Sequence, residues 1–226
     1  MEELPTKDKK DHIHKATKVG LNFIPIAGGA LAEIFETVFS APIDKRKEEW
    51  LKRLAVTIDE LCEKVEGLTP EKLSNNPEFI SIYLQASNIA IRTHQEEKLN
   101  MLNIAVKNSV IQENLDESKK MIFLRLVDQM TPLHIKVFHF LSFTNQYVKE
   151  LNNRLPSNII KTWSNVSSVW NESFKDINAG SPLINLITND LYNYGLIDIS
   201  VFHKASMDSV ATGLGREFFG FITETT

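Results

Sequence analysis

The chain has 226 residues, with 25 Lys and Arg against 29 Asp and Glu, a formal net charge of −4, and 42% hydrophobic residues. This length and balance suit one sizeable helical core, alone or with a small appended domain, and exclude a disordered tail and a multispanning transporter. The acidic balance supplies no overall cation for nucleic acid, and the single cysteine, Cys62, excludes an internal disulfide.

Residues 1–18, MEELPTKDKKDHIHKATK, mix four acids with five lysines and read as a solvated leader. They lack the basic start and apolar core of a secretory signal, so the expected location is the cytoplasm. His12 and His14 have no recognisable further ligands nearby and are read as solvated, so no metal or other cofactor is expected.

The stretch from Val19 to Ile43, VGLNFIPIAGGALAEIFETVFSAPI, has no charged side chain before Glu33, yet Pro25 and Gly28-Gly29 interrupt it. Crossing a bilayer takes roughly 18 or more consecutive apolar residues in one helix, so the segment is expected either to pack inside the protein or to lie on a surface. In the second case Phe23, Ile24, Ile26, Leu31, Ile34, Phe35 and Phe39 meet a membrane or a partner, and the protein associates peripherally with the bilayer.

From about Asp44 to Glu66, Trp50, Leu51, Leu54, Ala55, Ile58, Leu61, Cys62 and Val65 recur at three- and four-residue steps and predict an amphipathic helix stopped by Gly67. Cys62 lies on that stripe and reads as a small buried hydrophobe. Thr69-Pro70 and Asn76-Pro77 are cap-then-proline signals, the second opening a helix whose apolar residues cover more than one face, as in the centre of a bundle. Thr93 and Glu96 match a capping box for the next helix. In the same polar cluster Arg92, His94 and Glu97 are the candidate polar site, with a helix junction as the structural reading. Asp116 is placed as the cap of a helix with Phe123, Leu124, Leu126, Val127 and Met130 inward, and Thr131-Pro132 opens another. His134 and His139 on that helix read as packing or surface residues without a partner.

Residues 155–180 turn to Asn, Ser and Trp, and Trp163, Val166, Val169 and Trp170 on one face predict a connecting amphipathic helix. In residues 181–226, Ser181-Pro182 opens a helix that Gly195 closes. "LIDI" from Leu196 reads as a short strand, and Ala211 onward as a return strand turning into a terminal helix. The expected fold is therefore mainly all-α: a leader (1–18), a bundle (19–154, with its apolar segment 19–43), a connector (155–180) and a C-terminal unit (181–226) carrying a short β-hairpin.

The order helix, "YGLIDIS", loop, "ATGLGREFFGFI" resembles the recognition helix, wing and closing helix of winged-helix domains. That resemblance implies DNA binding. The unit departs from it with Asp190, Asp198, Asp208, Glu217 and Glu224 against only Lys204 and Arg216, a charge that repels phosphate. FLRLVDQMTPLHIKVFHFL, with the GLI and LGREF elements after it, resembles bacterial helical proteins of the abortive-infection alpha type. This implies a phage-defence setting and transfers no catalytic residues. Three functions follow as expectations. The first is a non-enzymatic interaction or effector protein acting through a protein partner, a homo-oligomer or membrane association of residues 19–43. The second is a winged-helix transcriptional regulator, and the third an enzyme built around Arg92, His94 and Glu97.

Overall fold

The computed structural model describes residues 41–112, 114–156 and 161–224, which hold ten α-helices and no strand. They fall into two compact units divided between Leu124 and Arg125, inside the helix Glu117–Gln129.

In the first unit, α1 (Ala41–Lys64) ends before Gly67, whose φ of 73° is the left-handed conformation that glycine adopts without a Cβ penalty. The short α2 (Pro70–Ser74) is capped by Thr69, whose side chain accepts from Lys72 N. Asn76 does the same for Phe79 N at the start of α3 (Pro77–Arg92). α3 packs against α1, α2 and α4 (Glu96–Ile111), as its many-sided apolar pattern predicts. Along α1, Trp50, Leu54 and Leu61 are buried, together with Thr57, whereas Ala55 is exposed.

Polar bonds set the register of these helices. Trp50 Nε1 donates to Ser87 Oγ at 2.9 Å, so the buried indole keeps its N–H satisfied. Arg53 bonds Glu96 at 2.6 Å and Asn100 at 3.1 Å, and Thr57 Oγ1 donates to Asn103 Oδ1 at 2.8 Å. Rising numbers on α1 meet rising numbers on α4, so the two run parallel, while Trp50 ties the middle of α1 to Ser87 of α3. The Thr93–Glu96 capping box does not form. Gln95 is the N-cap of α4 without a side-chain bond, Thr93 Oγ1 accepts from Gln95 N, and the Glu96 carboxylate leaves the helix end for Arg53. A cross-helix guanidinium is a stronger partner for a carboxylate than a neutral amide.

Asp116 Oδ1 accepts from Lys119 N at 2.9 Å at the start of α5 (Glu117–Gln129), and Phe123, Leu124, Leu126, Val127 and Met130 are all buried, as predicted. The second unit follows with α6 (Pro132–Ser142), α7 (Thr144–Asn153), α8 (Val166–Ser173), α9 (Pro182–Asn193) and α10 (Gly213–Ile222). Its centre is the fully buried Phe140. The Trp170 ring meets Phe140 edge-on at 5.0 Å, and Phe202 stacks on it at 6.0 Å. Burying such a ring is worth about 1.5–3 kcal/mol from area alone. Residues 161–180 supply α8, which Asn165 and Ser168 start with a reciprocal capping box, and Trp163 lies before the helix rather than on its face.

α9 ends in a Schellman arrangement: Leu196 N donates to Leu191 O, Gly195 N donates to Tyr192 O, and Gly195 has φ 73°. The β-hairpin expected of a winged helix is not formed. One antiparallel bridge, Ile197 with Ala211, is flanked by the bonds Asp198 N to Val210 O and Thr212 N to Leu196 O. The reason lies between them. Phe202, at the start of a 3-10 turn (Phe202–Lys204), is drawn fully into the Phe140–Trp170 cluster, and that detour ends the ladder. Thr212 then caps α10 by accepting from Gly215 N, while its hydroxyl donates to Gly195 O at 2.6 Å.

At Gly215 a Cβ would stand 2.1 Å from the Leu196 carbonyl oxygen, whereas at Gly220, in the interior of the same helix, it would meet nothing within 4 Å. Gly215→Ala is therefore expected to lower stability by about 2 kcal/mol or more, and Gly220→Ala to raise it by about 0.5–1 kcal/mol. Urea denaturation of the two variants checks the pair; equal midpoints would refute the close approach.

His139 lies half-buried beside Phe143, Tyr147 and Phe219, with Nδ1 2.8 Å from the Tyr147 hydroxyl. Burial lowers its pKa below 6.5, against a weaker raising effect of Glu150, while burial raises that of Tyr147. The phenol thus donates to a neutral imidazole. Because the unfolded chain takes up this proton at higher pH than the folded one, the contribution is whole above about pH 6.5 and is lost as pH falls through the folded value. Between pH 7 and 5 the urea midpoint of the native chain should fall more steeply than that of His139→Gln; parallel slopes would rule this out.

Candidate functional site

Three helix starts and one loop build a cleft in the first unit. The Thr69 cap fixes α2, so Leu73 turns inward. The Asn76 cap fixes the first turn of α3, which places Glu78 and Phe79 side by side on the cleft wall. The Asp116 cap fixes α5, which sets Lys120 one turn further along. The resulting cavity has a volume of about 490 Å³. Its floor is apolar, made by Leu68, Leu73, Phe79, Ile82, Val110 and Leu115, and its polar groups are Lys72, Asn76, Glu78, Ser109, Asp116 and Lys120. A hollow of this size, lined by apolar and convergent polar groups, can admit a small molecule.

Its electrostatic centre is an ion pair. Lys120 Nζ lies 2.7 Å from Glu78 Oε1, with the lysine side chain 6% exposed and the glutamate 37%. The Lys72 ammonium donates to the Gly67 carbonyl. The other carboxylate, Asp116, accepts from an amide of the α5 N-terminus, where the helix dipole favours negative charge. Among the described residues no group of three or more His, Cys, Asp or Glu is placed to hold a metal ion.

The residues singled out in the sequence lie elsewhere. Arg92, His94 and Glu97 are all exposed around the α3–α4 junction, where Arg92 Nε folds back onto the Asn88 carbonyl of its own helix. Phe23, Ile24, Ile26, Leu31, Ile34, Phe35 and Phe39 lie outside the described residues, and among those described no helix is long and apolar enough to cross a membrane. Cys62 is partly buried, and burial, with Asp59 and Glu71 adding to it, pushes its thiol pKa up, away from nucleophilic reactivity. Tyr83 is likewise pushed up to about 12 by burial.

His134 does have partners. Its Nδ1 accepts from Thr131 N at 3.2 Å in a capping box that starts α6, which leaves the proton on Nε2, 3.3 Å from Asp190 Oδ2 of α9. The proline signal at 131–132 located the helix start. The sequence carried no sign of Asp190, 56 residues away, nor of the pairing of Glu78 with Lys120, 42 residues apart. The cap signals at Thr69, Asn76 and Asp116 pointed near the cleft.

A second surface feature belongs to α9. Its inner face is Ile184, Ile187, Thr188 and Leu191, all buried. Outward it shows Leu183 at 50%, Leu186 at 56% and Tyr192 at 46% exposure, with Asn189 and Asn193 also exposed. The helix contains no lysine or arginine, and its one charge, Asp190, faces His134.

No family model matches the chain, and the curated proteins and the solved structures yield no match either.

Removing the two members of the cleft ion pair is expected to cost different amounts. Glu78→Ala strands a nearly buried ammonium and should lower stability by about 2–3 kcal/mol. Lys120→Met keeps the packing of the lysine stem and leaves a carboxylate that water reaches, so it should cost about 1 kcal/mol or less. Chemical denaturation of both variants measures the difference; the reverse order would contradict the burial assigned to Lys120.

Proposed function

We propose that the chain is a non-enzymatic interaction protein that binds a protein partner through the outward face of α9. One observation carries this reading: α9 exposes Leu183 and Leu186 on one flank, Asn189 and Asn193 beside them and Tyr192 on the other flank, and has no cation. Non-specific attraction to nucleic acid comes from lysine and arginine at phosphates, so this face is poorly made for DNA. An exposed tyrosine and exposed leucines beside neutral amides suit a protein interface, in which charged residues are depleted at the centre. The regulator reading finds no cation on α9, and Arg92, His94 and Glu97 do not line the cleft of the first unit. The resemblance to abortive-infection alpha proteins adds a bacterial phage-defence role to this proposal.

A photo-crosslinking residue at Asn189 of the full chain, activated in bacterial cells expressing it, tests the reading. A discrete protein adduct is expected, of either a second copy or another protein, and Leu183→Asp with Leu186→Asp should abolish it while leaving the circular dichroism of the chain unchanged. Absence of any discrete adduct, or an adduct that persists with both aspartates in place, would remove α9 as the interface.

A further inference from the structure

We propose that the cleft between α2, α3 and α5 is a binding site for a small amphipathic carboxylate, with its apolar body on the floor and its carboxylate at Lys120. A lysine ammonium has three donors, and among the described residues Lys120 has one acceptor, Glu78 Oε1 at 2.7 Å. An ammonium whose side chain is only 6% exposed keeps its remaining donors in a low-dielectric wall, where an anionic acceptor gains more than it would in water.

The sign of the ligand follows from the neighbours. Glu78 and Lys120 balance each other's charge, and Asp116 accepts from the Lys119 amide it caps, so the preference for an anion comes from the unused donors of Lys120 and the charge of Lys72. Lys72 donates to a neutral carbonyl and keeps its charge at the rim. The first turns of α3 and α5, which supply Glu78, Asp116 and Lys120, bring two positive helix ends to the same cleft. All of this favours an anion. Leu68 and Val110, the partly exposed apolar residues of the lining, call for a short aliphatic or aromatic body, and about 490 Å³ accommodates a small carboxylic acid rather than a folded partner. A buried ion pair is seldom the most stable way to fill a wall, since apolar residues of the same volume often do better. In this position it holds the ammonium in place for a ligand oxygen.

Isothermal titration of the full chain with octanoate, octan-1-ol and octylammonium tests the site. Octanoate should bind saturably at one site, and roughly tenfold or more tighter than the alcohol or the amine, as a charge-assisted hydrogen bond requires. Lys120→Met should erase that preference. Val110→Phe, which fills a half-buried part of the floor, should remove binding of octanoate altogether. If Lys120→Met fails to fold, the exposed Lys72→Gln takes its place, with a smaller loss of the same preference. The proposal is overturned if no saturable binding occurs, if the alcohol binds as tightly as octanoate, or if folded lysine variants keep the full preference.

Discussion

The amide groups of a helix's first turn have no carbonyl four residues behind them, and satisfying them is the constraint on which the rest of this structure depends. Most of the described helices are short, and seven of their starts are pinned by a local side chain. Thr69, Asn76, Asp116, Thr131, Asn165, Ser181 and Thr212 each accept from an amide of the helix they begin. A cap decides the first residue of the helix, and with it the angular position of every side chain that follows. The Asn76 cap thereby turns Glu78 and Phe79 into the cleft, and the Asp116 cap turns Lys120 toward Glu78. At α6 the capping histidine is also the residue that reaches Asp190 on α9.

Buried polar bonds then choose one packing among the several that an apolar stripe allows. Trp50 to Ser87 and Thr57 to Asn103 are each worth little net, but a slip of one helical turn would leave their donors and acceptors unmet in the interior at a cost of about 1–3 kcal/mol per group. Thr212 has the same part in the second unit, where one hydroxyl both caps α10 and holds the carbonyl of Gly195. The backbone there comes so close that only glycine fits at position 215. Aromatic packing around Phe140 is the other organising force of that unit, strong enough to pull Phe202 inward and to reduce the expected hairpin to one bridge.

The two proposed surfaces would recognise by different physics. The outer side of α9 is uncharged, with exposed leucines beside asparagines, and suits desolvation against another protein. The cleft of the first unit is concave and centred on a nearly buried ammonium, and suits a small anion with an apolar body. Neither surface holds an activated nucleophile. The thiol of Cys62 and the phenols of Tyr83 and Tyr147 are all shifted by burial toward their protonated forms.

Much of the architecture was legible in the amino-acid sequence, because helix periodicity and cap residues act over four residues and leave their pattern in the chain. The α1 stripe around Trp50 and Leu54, the many-sided apolar α3, the starts at Pro70, Pro77, Pro132 and Pro182, and the stops at Gly67 and Gly195 are of this kind. What depends on residues distant in sequence was not legible. Thr93 and Glu96 fit a capping box until Arg53, 43 residues earlier, offers the glutamate a stronger partner. His134 had no partner in its own neighbourhood, and the alternating residues around Ile197 looked like a hairpin while the destination of Phe202 was unknown. The Glu78–Lys120 pair, and with it the cleft, exists only once the helix starts bring α3 and α5 together. Local backbone preference was written in the order of the residues; the pairing of charges and the closing of the cleft were decided by tertiary packing, because Coulombic and dispersion contacts act across space and leave no period along the chain.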